Sequence, residues 1–230
     1  MIKTLLLSAL ALSMAVSASG QQTVKLRKKD RKRDIELLTT KGPIVVRLYD
    51  ATPLHRDNFL RLVKTKYYDS VLFHRVISNF MVQAGDPNSK RAAAGQALGN
   101  GGPEYKVPAE FRPELFHKKG VLAAARDGNP EKASSGSQFY LVQGRKFTDA
   151  GLDSVETFRL EGRKLPAAHR EVYKTLGGVP HLDQNYTVYG EVVKGIEIMD
   201  SIAATPTSRT PPDRPLTDVR IIKAKLVRRR

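Results

Sequence analysis

The sequence predicts an all-β fold, a barrel or a sandwich, and three observations carry that expectation. Short runs rich in Val, Ile, Leu and Phe recur along the chain, each bounded by turn-forming Gly, Pro, Asn or Asp. Few stretches show the spacing of an amphipathic helix, so strands outnumber helices. The chain has 230 residues, 40% of them apolar and 27% charged, which suits one globular domain with appendages. It contains no cysteine, which excludes disulfides, thiolate catalysis and Cys-ligated metals, and it contains no tryptophan.

Lys3 supplies a positive start, Leu5 to Val16 is an apolar run too short to span a bilayer, and Ser17-Ala18-Ser19-Gly20 are small. Residues 1–20 therefore read as a cleavable export signal, with cleavage after Ala18 or Gly20 both fitting and an uncleaved anchor as the alternative. No later run is apolar enough to span a bilayer, so the expected mature protein is exported, periplasmic or secreted, with no transmembrane anchor. Residues 21–33 read as a flexible basic arm and 228–230 as a basic tail, and together they carry much of the net charge of +16. No aromatic side chains interleave the run Lys25 to Arg33, so specific nucleic-acid binding is not expected. A weak, salt-sensitive attraction to anionic envelope surfaces is.

Ile35 to Thr39 and Ile44 to Leu48 form a strand pair around the turn Thr40-Lys41-Gly42-Pro43. Thr52-Pro53 starts a helix, with Thr52 as cap and Pro53 preset at the first helical position, and Leu54, Phe59, Leu62 and Val63 mark its apolar face. Val71 to Val76 and Phe80 to Ala84 form a hairpin closed by Ser78-Asn79. Alternation places Arg75 with Ile77 on one face of its strand and Met81 with Gln83 on one face of the other. A guanidinium, an amide and a thioether then converge beside an aromatic.

Asp86 to Pro103 is rich in glycine but lacks the lysine and following helix of a phosphate-binding loop, so it reads as a surface loop. Val107 to Phe111 and Gly120 to Ala125 are further strands, the second made of small residues that let another chain approach closely. Within Gln143 to Pro180, Asp149 to Leu160 and Pro166 to Leu176 read as short helices, the second with a glycine stop at Gly177-Gly178. Gly195 to Ala204 is a helix with Ile196, Met199 and Ile202 on one face, and Asp218 to Val227 is the last strand.

Four stretches stand in a recognisable order: Phe73-His74-Arg75, Phe80-Met81-Val82-Gln83-Ala84-Gly85-Asp86, Gly136-Ser137-Gln138-Phe139-Tyr140, and Leu182-Asp183 with Val188-Tyr189-Gly190. At these stretches the sequence resembles the cyclophilin family of peptidyl-prolyl cis-trans isomerases, in its exported bacterial form, over residues 34–227. The resemblance implies a closed eight-stranded antiparallel barrel, mainly β, capped by two α-helices, with residues 143–180 as a helical insert longer than the family's usual connection.

Such an enzyme rotates X-Pro bonds. The barrier, roughly 18–20 kcal/mol, is lost amide resonance, and no covalent bond is made or broken. The reaction needs no cofactor, nucleophile or proton. It needs an apolar slot for the proline ring and a donor aimed at the imide nitrogen, whose lone pair returns as the bond twists. Arg75 fits the donor role, because a guanidinium always donates and cannot act as a base. By resemblance, Phe80, Met81, Tyr140 and Leu182 form the slot, Gln83 orients Arg75, and Ala125, Arg126 and Gln138 follow the substrate backbone. Tyr140 stands where the family commonly has Phe, His181 where Trp is common, and Tyr186 where His is common.

His74 is not expected to act as a base, since no nucleophile and carboxylate are readable around it and the reaction needs none. His117 and His169 are isolated in the sequence, so no metal site is expected. The expected partners are proline-containing segments of unfolded or exported proteins, met by a monomer. The competing expectation is a non-catalytic peptide-binding holdase on the same barrel, against which Arg75, Phe80 and Gln83 all argue. The insert, tied at both ends to the site, is expected to select protein clients and leave the chemistry alone.

Overall fold

The computed structural model describes residues 24–229, so the expected signal segment 1–20 lies outside the described residues. β1 (Arg33–Thr39) and β2 (Gly42–Leu48) form the expected hairpin, with Leu37 opposite Ile44. α1 (Pro53–Lys64) starts at its proline. Thr52, expected to cap it, makes no side-chain cap bond, and its hydroxyl is buried without a partner among the described residues. The Glu110 carboxylate accepts from the Leu54 and His55 amides instead, at 3.1 and 2.9 Å. A carboxylate at a helix N-terminus also meets the positive end of the helix dipole, which a threonine hydroxyl cannot match.

β3 (Phe73–Ile77) and β4 (Met81–Ala84) follow, with Asn79 turning the chain at φ 60°. β5 (Lys106–Val107) and β7 (Ser134–Ser135) make a small ladder beside β6 (Val121–Ala124) and β8 (Phe139–Val142). The expected insert helices are α2 (Asp149–Phe158) and α3 (Ala167–Thr175). β9 (Val188–Lys194) and α4 (Ile196–Ala203) lead to a hairpin of β10 (Thr207–Arg209) and β11 (Pro212–Pro215) that sequence patterning missed, and then to β12 (Ile221–Arg228).

Eight strands form one antiparallel sheet in the order β12-β1-β2-β9-β6-β8-β4-β3. The sheet curls, but the expected closed barrel is not formed, because no ladder joins its edges β12 and β3. Among the described residues the edges meet through an isolated bridge between Leu72 and Arg220, beside which Phe73 N–H donates to Val219 and Ile221 N–H to Val71, each at 2.8 Å. β11 packs against β3. Its Pro212 and Pro215 have no N–H to offer a ladder.

Because strand side chains alternate, the curled sheet buries two faces. The inner face carries Leu37, Ile44, Val46, Val82, Leu122, Phe139 and Leu141, closed by Phe59 of α1 and Met199 and Ile202 of α4. The outer face of β4, β6, β8 and β9 carries Met81, Val121, Ala123, Tyr140, Val142 and Val188, covered in part by Val179 and Leu182. α2 and α3 close a third, small core around Leu152, Leu160, Leu165 and Tyr173.

Residues 24–33, expected as a flexible arm, are docked. Asp30 interrupts the basic run, is buried, and accepts from Lys64 of α1 at 2.7 Å, while Arg31 pairs with Asp57 at 2.7 Å and Leu26 packs on the core. Arg228, expected in a tail, is the last residue of β12 and faces Arg33.

Candidate active site

The site grows from three strand pairings. β3 pairs with β4 so that Arg75 faces Gln83 and Ile77 faces Met81, β4 pairs with β8 so that Gln83 faces Tyr140, and β8 pairs with β6 so that Tyr140 faces Ala123. Partners across an antiparallel ladder project to the same side. Arg75, Gln83, Met81 and Tyr140 therefore meet on the outer face of the sheet. Phe80 comes from the end of the β3–β4 turn, and Leu182 from a 3-10 turn, Pro180–Leu182, after the insert. Together with Ala125, Arg126 and Tyr186 they line a cavity of about 150 Å³.

Met81, Tyr140 and Leu182 are buried and make its floor, whereas the Arg75 side chain is 45% exposed at its mouth. Two expected residues lie outside the cavity. His181 stacks on Phe80 at 5.9 Å, and burial followed by the nearby Arg159 pushes its pKa down to about 4. Gln138 lines a neighbouring groove of about 440 Å³ and donates to the Gly99 and Gly101 carbonyls at 2.7 and 2.8 Å.

Gln83 was expected to orient Arg75. Its amide donates to Gln138 at 2.9 Å instead, and the guanidinium is held from the other side, where Nε donates to Asp213 Oδ2 at 3.2 Å. Asp213 is the functional neighbour that sequence reading missed. It lies in β11, and the Pro211-Pro212-Asp213 run is a turn signal that could have pointed to a hairpin there but not to its partner. Arg126 donates to Asn185 at 3.0 and 2.8 Å and to the Asp127 carbonyl at 2.9 Å, with its guanidinium 4.7 Å from the Tyr186 ring centre. Burial pushes His74 down to about 4, so this imidazole is neutral. His117 is isolated in sequence but not in space, for it bonds both Asp183 and Tyr140. Among the described residues no three His, Asp or Glu side chains group as a metal site, and no helix is long and apolar enough to cross a membrane.

The chemistry open to such a site is limited to gripping and polarising. Among the described residues no hydroxyl, thiol or carboxylate lines the slot except the phenols of Tyr140 and Tyr186, and the strongest donor at its mouth is a permanent cation. Such a site can grip and polarise a bound chain, and an apolar slot beside a cation suits the imide bond of proline, the arrangement of the peptidyl-prolyl isomerase class. The sequence model of the family described as cyclophilin type peptidyl-prolyl cis-trans isomerase/CLD matches residues 34–226, and the chain belongs to that family.

A protein of Staphylococcus saprophyticus named for peptidyl-prolyl cis-trans isomerase activity is 35% identical over 193 residues, spanning 82% of this chain and 89% of that protein. A Streptococcus pyogenes protein named as a bifunctional phosphatase/peptidyl-prolyl cis-trans isomerase is 33% identical over 188 residues, which make up 80% of this chain and 37% of that longer protein. The crystal structure of a Cryptosporidium parvum cyclophilin shares the fold, with a TM-score of 0.64 at 21% identity, covering 86% of this chain and 99% of that one.

Proposed function

We propose that the protein accelerates X-Pro rotation in exported, unfolded proteins, with Arg75 donating to the imide nitrogen as the bond twists. One observation carries the reading: the Nη side of Arg75, which makes no hydrogen bond among the described residues, stands at the mouth above an apolar floor. A proline ring seated against Met81, Tyr140 and Leu182 brings its nitrogen towards that edge. The planar ground states offer the nitrogen no free lone pair, so the bond strengthens only in the transition state. Asp213 occupies Nε and limits how far the guanidinium can swing. Gln83 and Gln138 form an amide ledge beside the slot, along which the preceding residues of an extended substrate can run. The test is an isomerisation assay on a prolyl tetrapeptide, followed by refolding of an exported protein limited by proline isomerisation. Binding without acceleration of either would make the protein a holdase.

Two further expectations follow from the same reading. Family members with Trp at the position of His181 use its indole to hold cyclosporin. An imidazole offers less apolar area, so wild-type protein is expected to resist cyclosporin at concentrations that inhibit the His181→Trp variant. Equal inhibition of both, measured in the tetrapeptide assay, would remove His181 from the ligand surface. Export is expected to leave a mature chain beginning near Ser19 or Gln21, checked by intact mass of protein from the native host. Retention of Met1 would count against a cleaved signal.

A further inference from the structure

The floor of the slot carries a hydroxyl, and that hydroxyl has to be accounted for. Tyr140 is 4% exposed, so water does not reach its phenol freely, and a buried hydroxyl without a partner is costly. The partner is His117 Nε2, at 3.0 Å. His117 is fully buried, and its Nδ1 lies 3.0 Å from Asp183 Oδ1, which also accepts its backbone amide at 2.8 Å. The other carboxylate oxygen accepts from the Tyr173 hydroxyl at 2.7 Å. Tyr173 belongs to α3, inside the insert.

The direction of this chain is set by its middle. A carboxylate only accepts, so His117 donates through Nδ1, and in the neutral imidazole Nε2 then accepts the Tyr140 hydroxyl. Both tyrosines therefore donate towards Asp183, which directly follows Leu182 of the slot wall. The insert cannot drift from this arrangement. Val179 N–H donates to the His117 carbonyl at 2.8 Å, and Arg163 reaches the Asp183 carbonyl at 2.8 Å.

We infer that Tyr173 of the insert, acting through Asp183 and His117, is a positioning residue for the Tyr140 floor of the proline slot. The inference rests on the reading of Tyr140 as slot floor. It assigns the insert a part in the peptide chemistry, beyond the client selection expected from its placement in sequence. A phenylalanine at 140 would need none of this chain. With tyrosine there, weakening the grip on Asp183 frees His117 to turn and strands the hydroxyl beneath the substrate ring.

The test is a double-mutant cycle in the tetrapeptide assay, on the full chain, with Tyr173→Phe and Tyr140→Phe alone and together. Tyr173→Phe keeps the ring and its packing, and unfolding midpoints check that each variant is folded. In the wild-type background Tyr173→Phe is expected to lower kcat/KM by about three- to tenfold, and in the Tyr140→Phe background by less than about twofold. Equal losses in both backgrounds would overturn the inference, since the hydroxyl at 140 would then be irrelevant. So would an unchanged kcat/KM in the wild-type background. Arg75→Ala serves as a separate control: if it leaves the rate intact, the site assignment itself fails, whatever the cycle shows.

Discussion

Replacing Arg75 with alanine is expected to lower catalysis of X-Pro rotation at least about tenfold while leaving the fold in place. Each tenfold in rate corresponds to about 1.4 kcal/mol of differential stabilisation. A charge-assisted hydrogen bond of about 1.5–3 kcal/mol, made only as the imide nitrogen regains its lone pair, accounts for one to two decades. The remainder of the acceleration comes from the slot and survives in the variant. Stability is expected to change by no more than about 1–2 kcal/mol, because the side chain is 45% exposed and its ion pair with Asp213 is open to solvent. Tetrapeptide kinetics beside a denaturation curve check both halves. An undiminished rate would show that the slot alone twists the bond, and a collapsed denaturation midpoint would show that Arg75 is structural.

Glu110→Ala is expected to produce the largest loss of stability, about 3 kcal/mol, because several buried donors lose their acceptor together. Glu110 is 7% exposed and accepts from the amides of Leu54 and His55 and lies 2.7 Å from His55 Nδ1, whose Nε2 meets Ser134 at 2.9 Å. Burial works to raise its pKa, but the bonds from His55 and Leu54 outweigh that and hold the carboxyl below its ordinary value. A depressed carboxylate stabilises the fold above its unfolded pKa of about 4.3 and loses that contribution as pH falls through the folded value. The gap between wild type and Glu110→Ala should therefore be full at pH 7 and shrink below about pH 4. Glu110→Gln, which keeps one acceptor, should lose roughly half as much. Denaturant midpoints at several pH values, at constant m, decide the matter. A loss under about 1 kcal/mol would mean that water or Thr52 caps α1 once the carboxylate is gone.

Much of the site was legible because its residues come in local pairs. Alternation within Phe73 to Ala84 puts Arg75 with Ile77 and Met81 with Gln83. The three-residue turn from Ser78 to Phe80, one residue longer than the expected Ser78-Asn79 turn, sets Ile77 opposite Met81 and so brings the two pairs to one face, which requires no long-range information. The resemblance to cyclophilins, carried by the four ordered motifs, tied Tyr140 and Leu182 to the same slot. The insert helices were legible as well, from a Pro start, a Gly stop and apolar spacing.

What stayed hidden depends on partners far away in the chain. Asp213 reaches Arg75 across 138 residues, and Glu110 caps α1 across 55, yet neither carboxylate has a local pattern that names its partner. The docking of residues 24–33 turned on one acidic residue in a basic run, whose burial depends on Lys64 being in place. Whether the sheet closes was likewise not written in any strand, because closure depends on what the two edges meet, and β3 meets a proline-bearing hairpin. Periodicity and turn chemistry are properties of a few consecutive residues, so the sequence by itself determined the strands, their faces and the cation in the slot. Ion-pair partners, caps and sheet edges are contacts chosen in three dimensions, where burial turns a weak surface attraction into a required bond, and only the tertiary structure decided them.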